Sequence, residues 1–262
     1  MSPTTIPGKM VLANGWKISN TFRSFDPSDI ETALWLDAAD ASTVTLNGST
    51  VSQWRDKSGN SRHASQATPA SQPTYAAAGF NAKPTIQFDG VNDELNLVQF
   101  AQASNQHIFA VVDTTNIGTG YSVLLNRAGD FTHPAVYLGG SANYQPMLYW
   151  NGGDRAAWST AVQRKAIICW SFATGTPASA LTQVDGQTAV TQTFAASNLA
   201  SWSRINTATA QQSDVDISEL IVTPTTPSTS ERQKIEGYLA HKWGLTANLP
   251  ASHPYKTVKP TP

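Results

Sequence analysis

The 262-residue chain holds a single cysteine, Cys169, which excludes an intramolecular disulfide. Its neighbours Ile167, Ile168 and Trp170 are apolar, the setting of a buried, inert thiol rather than a reactive one. Charge is scarce: Asp, Glu, Lys and Arg make up 13% of the residues, about half the usual share. With 17 basic against 18 acidic residues and no basic patch, nothing suits nucleic acid or another polyanion. No apolar run approaches the length of about 18 residues that a membrane-spanning helix needs. A basic segment followed by an apolar stretch is missing from the first 30 residues, so no secretion leader is expected. Synthesis in the cytoplasm is then expected, and an outside destination would be reached by another route, such as release of virus particles by lysis. Also missing are a Gly-x-Ser-x-Gly elbow and a phosphate-binding glycine loop. The five histidines are dispersed, with no pair at metal-ligand spacing.

What is present is a succession of short β-prone runs. They include Thr43–Leu46, Thr85–Phe88, Glu94–Val98, His107–Asp113, Tyr121–Asn126, Ala135–Leu138, Pro146–Trp150, Lys165–Phe172, Leu181–Val184 and Val215–Val222. Between them stand Asn47-Gly48, Asp89-Gly90, Gly139-Gly140 and Asp185-Gly186, dipeptides that accept the positive φ of hairpin turns. Many short strands at this spacing predict an all-β sandwich or barrel. The runs His107–Asp113 and Lys165–Phe172 are almost continuously apolar and read as central strands covered on both sides. Thr85–Phe88 and Glu94–Val98 alternate, so Ile86, Phe88, Leu95 and Leu97 share a buried face.

One helix is expected, over Thr229–Trp243. Ser228 and Glu231 have capping-box spacing after Pro227. Ile235, Tyr238, Leu239 and Trp243 then form an apolar stripe, and Gly244 stands where a left-handed cap belongs. Residues 1–27 scatter prolines and glycines among a few apolar side chains such as Trp16 and Ile18. They read either as an arm that docks on a partner or as an edge strand with a frayed terminus. Residues 28–262 form the sandwich with its helix.

Two groups of residues suggest binding. Tyr144, Tyr149, Trp150, Asn151, Asp154, Arg155 and Trp158 gather around Gly152-Gly153. Aromatic platforms beside Asn, Asp and Arg suit the apolar faces and hydroxyl rims of sugars; core packing of the same aromatics is the competing reading. Asp89, Asn92 and Asp93 cluster oxygens in one turn, as Asp37, Asp40 and Asp56 would if the fold gathers them. No cofactor is required, and calcium is the one such oxygens would suit, although Asp and Asn also shape turns by bonding their own backbone.

Three stretches resemble the concanavalin A-like, laminin-G-like superfamily: Leu34–Asp40 with Trp54–Asn60, Ile86–Asp93, and Ile217–Val222 followed by Glu231–Leu245, Leu249-Pro250 and His253–Tyr255. The resemblance covers about residues 30–256 and implies a two-sheet antiparallel jelly-roll sandwich with one C-terminal helix packed on it. Similar endings occur in bacteriophage head and tail proteins and in bacterial surface proteins. That resemblance, the polar low-charge surface and the missing leader imply a non-catalytic bacteriophage virion surface protein, either a head decoration or fibre or a tail-fibre component. It would join other virion proteins through residues 1–27, form a homo-oligomer and offer its lectin-like sandwich to cell-surface glycans. A carbohydrate-binding module of a bacterial surface protein is the alternative, and a retaining β-glycanase the third reading. For the last, Asp214, Asp216 and Glu219 resemble the Glu-x-Asp-x-x-Glu strand of sandwich-fold β-glucanases, with Asp214 one methylene shorter than the family's nucleophile. Positions 214 and 219 face opposite sides of a regular strand, so this chemistry would need a bulge. The plainer reading makes the segment a core strand.

Overall fold

The computed structural model describes residues 23–262 apart from 119, 128–133, 140–143, 151–152, 176, 195–198 and 208–210, together with the short antiparallel pair Met10–Val11 and Lys17–Ile18. The rest of the expected N-terminal arm lies outside the described residues. Phe25, near its end, is buried against the C-terminal helix and donates its backbone N–H to the Pro260 carbonyl.

The strands form an antiparallel ribbon folded into two layers. In the first, the order is Val190–Phe194, Ala178–Val184, Lys165–Ala173, His107–Asp113 and Asp214–Thr223. The last of these then pairs with two strands in succession: Lys83–Asp89 along its first half and Leu34–Asp37 along its second. The second layer runs from Thr50–Trp54 through Ala64–Ser65, Glu94–Ala101, Ser201–Asn206, Ser122–Asn126 and Ala135–Gly139 to Met147–Trp150. Thr74–Phe80, which flanks Lys83–Asp89, reaches the second layer through a Thr50–Thr74 bridge. The architecture is therefore an all-β sandwich with a C-terminal helix.

Alternation along the strands builds the interior. Ile108, Ala110, Val112, Ile168 and Trp170 from one layer meet Leu95, Leu97, Leu125, Val136 and Trp202 from the other in a common cluster. The opposite face of the first layer is apolar too: Phe109, Val111, Ile167, Cys169 and Ile221 point away from that cluster. An apolar outer face has to be covered. The helix Thr229–Trp243 covers it, laying down Ile235, Leu239, Ala240 and Trp243. Its first turn is closed by the Ser228–Glu231 capping box, and its last by Gly244 at φ 72°. The central strands are thus buried on both faces, as their continuous apolar runs predict.

A buried carboxylate fixes the helix on the sheet. Regular alternation would turn Glu219 into the sandwich interior. A bulge prevents this: Val111 pairs with Glu219 and the next residue, Val112, with Ile217, leaving Ser218 as the extra residue. Glu219, with no exposed surface, therefore faces the helix. Its Oε1 accepts from Trp35 Nε1 at 2.8 Å and the Tyr238 hydroxyl at 3.0 Å; its Oε2 accepts from Trp243 Nε1 at 2.6 Å and lies 2.8 Å from Lys242 Nζ. Lys242 also reaches Asp37 at 2.7 Å, and Asp37 and Asp40 share Lys57 at 3.0 and 2.9 Å.

Two substitutions measure this attachment by urea unfolding. Trp243→Ala removes a fully buried indole and is expected to cost about 3–5 kcal/mol, the range for large aromatic truncations. Glu219→Gln keeps the volume but sets an amide N–H₂ among donors and leaves Lys242 short of one carboxylate. Its expected cost is also about 3–5 kcal/mol, as for breaking a buried ion pair from one side. A loss below about 1 kcal/mol in either variant would mean that the helix is not integral to the fold.

Candidate functional site

The carboxylates singled out in the sequence separate into two environments. Glu219 is sealed beneath the helix among four donors. It cannot touch a substrate, which removes it as a catalytic acid or base. The bulge does put Asp214, Asp216 and Glu219 on the same face of the sheet, but the helix covers that face at Glu219 and leaves the end with Asp214 and Asp216 open.

At the open end the register assembles a polar row across neighbouring strands. Asp216 stands opposite Gln87 on one side and Asp113 on the other; Asp113 stands opposite Lys165, and Asp214 opposite Asp89. Directly opposed residues have Cα atoms about 4.5–5.5 Å apart, so these side chains share one small area. Asp216, Asp214, Asp113, Gln87 and Lys165 are all partly exposed. Gln87 Nε2 donates to both Asp216 oxygens, at 3.1 and 2.9 Å. Lys165 Nζ donates to Asn81 Oδ1 at 3.2 Å and lies 5.1 Å from the Phe80 ring centroid. Burial pushes the Asp216 carboxyl above the usual carboxylate range against the Gln87 bonds, and the Asp113 and Asp214 charges add to the rise. Burial and the neighbouring Asp89 charge raise Asp214 as well.

The Asp89–Asp93 turn spends its oxygens on its own backbone. Asp89 Oδ1 accepts from the N–H groups of Val91 (2.8 Å), Asn92 (3.2 Å) and Asp93 (3.4 Å), while Asp93 Oδ2 accepts from the Asp89 N–H at 3.0 Å. Burial pushes Asp93 up to about 6. Asp56 likewise accepts from the backbone of Trp35, Ser58 and Arg62, and Asp37 and Asp40 hold Lys57. Among the described residues, no three His, Cys, Asp or Glu side chains gather as metal ligands.

The aromatic group expected around Gly152-Gly153 is divided. Trp158 is buried in the sandwich interior, and Tyr144 packs against the same cluster. Tyr149 joins Tyr121 and Tyr137 on the outer face of the second layer, with ring centroids 5.4–5.7 Å apart. These rings meet edge to face or tilted, packed on one another rather than set out as a flat platform. Trp150 lies on Met147–Trp150, which pairs with the Gly153–Arg155 strand that carries Asp154 and Arg155. Asn151 lies outside the described residues. Asp113, Gln87 and Lys165 carried no motif in the sequence, and the register alone brings them to Asp216.

No family model and no curated protein matches the chain. Solved structures share its fold. An arabinofuranosidase complexed with arabinofuranosyl-α-1,2-xylobiose overlays 84% of this chain and 59% of its own, with a TM-score of 0.54 and 12% identity. A Trypanosoma rangeli sialidase in complex with sialic acid overlays 81% of this chain and 33% of its own, with a TM-score of 0.50 and 15% identity. The binding domain of Paraclostridial Mosquitocidal Protein 1 overlays 74% and 51%, with a TM-score of 0.51 and 11% identity. The chain thus spans about a third to three-fifths of these structures, and at such identities the likeness is one of fold. It corrects two expectations: the sandwich is shared with carbohydrate-active enzymes, which overturns both the non-catalytic virion-surface role and the expectation that the chain is not an enzyme.

Proposed function

We propose that this chain is a carbohydrate-active β-sandwich that engages a glycan along the open end of its helix-bearing sheet. The observation that carries the reading is the row Gln87–Asp216–Asp113–Lys165, with Asp214 and Asp89 beside it, in register on four adjacent strands. Carboxylates accept strong hydrogen bonds from sugar hydroxyls, and Gln87 and Lys165 add donors for the ring and glycosidic oxygens. The row also has the ingredients of bond cleavage. A carboxyl raised by burial beside a second carboxylate is the pairing that lets one group protonate a leaving oxygen while the other supports the anomeric centre. Asp216 is the proton donor in this reading and Asp113 its partner. Neighbours that carry an arabinofuranosyl-xylobiose or sialic acid support a glycoside as the substrate class.

The test is to incubate the full chain with arabinoxylan, xylo-oligosaccharides and sialylated oligosaccharides, measuring affinity by gel retardation and turnover by reducing-end release. Asp216→Asn and Asp113→Asn are each expected to weaken retention about tenfold or more, as for loss of a hydrogen bond to a charged group, and to abolish turnover. Turnover should decline as the pH rises through the raised Asp216 pKa, because the acid form is lost there. A wild-type chain that neither binds nor cleaves any of these glycans, or variants indistinguishable from it, would overturn the proposal.

A further inference from the structure

The strand His107–Asp113 ends in the acidic row, but its other end opens on a separate pocket. His107, Phe109, Val111 and Asp113 share the helix side of the sheet, and the helix covers the two in the middle. At about 3.4 Å per residue, His107 lies roughly 20 Å from Asp113. Beside it is a cavity of about 420 Å³, within the range of small-ligand sites. Its walls are the strand end at Leu181 and Gln183, the turn at Gly186, Thr226-Pro227 and the first helical turns up to Arg232. Asp185 and Gly186 both have positive φ, 49° and 68°. A Cβ on residue 186 would stand 3.1 Å from Glu236 Oε2 and from the His253 ring, so glycine lets the turn close over that pair.

Two side chains give the cavity its chemistry. Arg232 Nη1 donates to Glu236 Oε1 at 2.5 Å and to Gln183 Oε1 at 3.3 Å. Its charge is therefore already matched by a buried carboxylate, while among the described residues Nη2 and Nε have no hydrogen-bond partner. His107 is 7% exposed and its ring packs on Phe109. Its Nδ1 lies 3.3 Å from the Asn105 carbonyl oxygen. A carbonyl can only accept, so Nδ1 carries the proton and Nε2 a lone pair. Among the described residues that lone pair has no donor. Burial lowers the His107 pKa, which keeps the ring in this neutral form. The cavity thus pairs an unused acceptor with unused N–H donors, and Leu181, Ala189 and Pro227 supply an apolar wall. An anion would meet the His107 lone pair and a guanidinium already neutralised by Glu236; a polyol meets neither penalty.

We propose that this pocket is a second glycan subsite taking one neutral sugar residue. A vicinal diol would be held with one hydroxyl donating to His107 Nε2 and its neighbour accepting from Arg232. The proposal rests on the carbohydrate reading above but uses none of the residues of the acidic row.

Saturation-transfer NMR and calorimetry with methyl β-xylopyranoside, methyl α-arabinofuranoside and N-acetylneuraminic acid test it. His107→Phe keeps the ring packing and removes the acceptor; Thr188→Trp fills the cavity from an exposed wall position and leaves the polar network alone. Both variants are expected to lose at least tenfold in affinity for the neutral glycosides with unchanged far-UV circular dichroism. In the wild type, the neutral sugar should shift the His107 Nε2 nitrogen resonance. Neutral-sugar binding that survives both pocket variants and disappears with Asp216→Asn would overturn the second subsite and keep the first. Tighter binding of the sialic acid would overturn the neutral-diol assignment. A wild type that binds none of the three probes and no polysaccharide would overturn both proposals.

Discussion

One carboxylate with four donors organises the outer half of this molecule. Glu219 collects an indole N–H from the strand Leu34–Asp37, and an indole N–H, a phenol and an ammonium from the helix. A charge removed from water is strongly disfavoured unless every lone pair finds a partner. Two features follow from that requirement. The bulge at Ser218 turns Glu219 away from the apolar interior, and the helix must sit where Tyr238, Lys242 and Trp243 can reach it together. The bulge and the seat of the helix both serve that one buried group.

The helix divides the outer face into a covered centre and two uncovered ends. Under the centre lie Phe109, Val111, Ile167 and Ile221, whose exposure would be costly. The ends carry side chains that tolerate water: acids, Gln87 and Lys165 at one, His107, Arg232 and threonines at the other. A rigid scaffold with polar termini is a common arrangement for recognition, because function is placed on a fold that packing has already determined. The solved structures that share this fold are longer than the chain, so the sandwich here corresponds to a domain-sized part of each.

The sequence was informative where a single pattern decides the structure. The helix follows from its capping box, apolar stripe and Gly244; the central strands follow from runs too apolar to face water. Strands went unread where the pattern is weak. Thr74–Phe80 is mostly small residues without alternation, and Val190–Phe194 is an exposed edge strand with polar side chains. The candidate site was half legible. Asp214 and Asp216 stood out as a motif, but Asp113, Gln87 and Lys165 are scattered along the chain and meet only through register. The side on which Glu219 falls depends on register too: a one-residue bulge has no signature in Ile217-Ser218-Glu219, yet it reverses the face on which everything after it falls. Trp158 reads equally as a sugar platform or as core, because an aromatic beside glycines looks alike in either role until its burial is known.

Cys169 acquires an experimental use from its position. It lies in the layer between sheet and helix, 2% exposed, where burial pushes its thiol well above the ordinary range. A reagent that modifies thiolates can reach it only when the helix lifts from Phe109 and Ile167. Because the chain has no second thiol, the labelling rate under native conditions is a clock for that opening. The molecule carries its own reporter of how often its outer layer breathes.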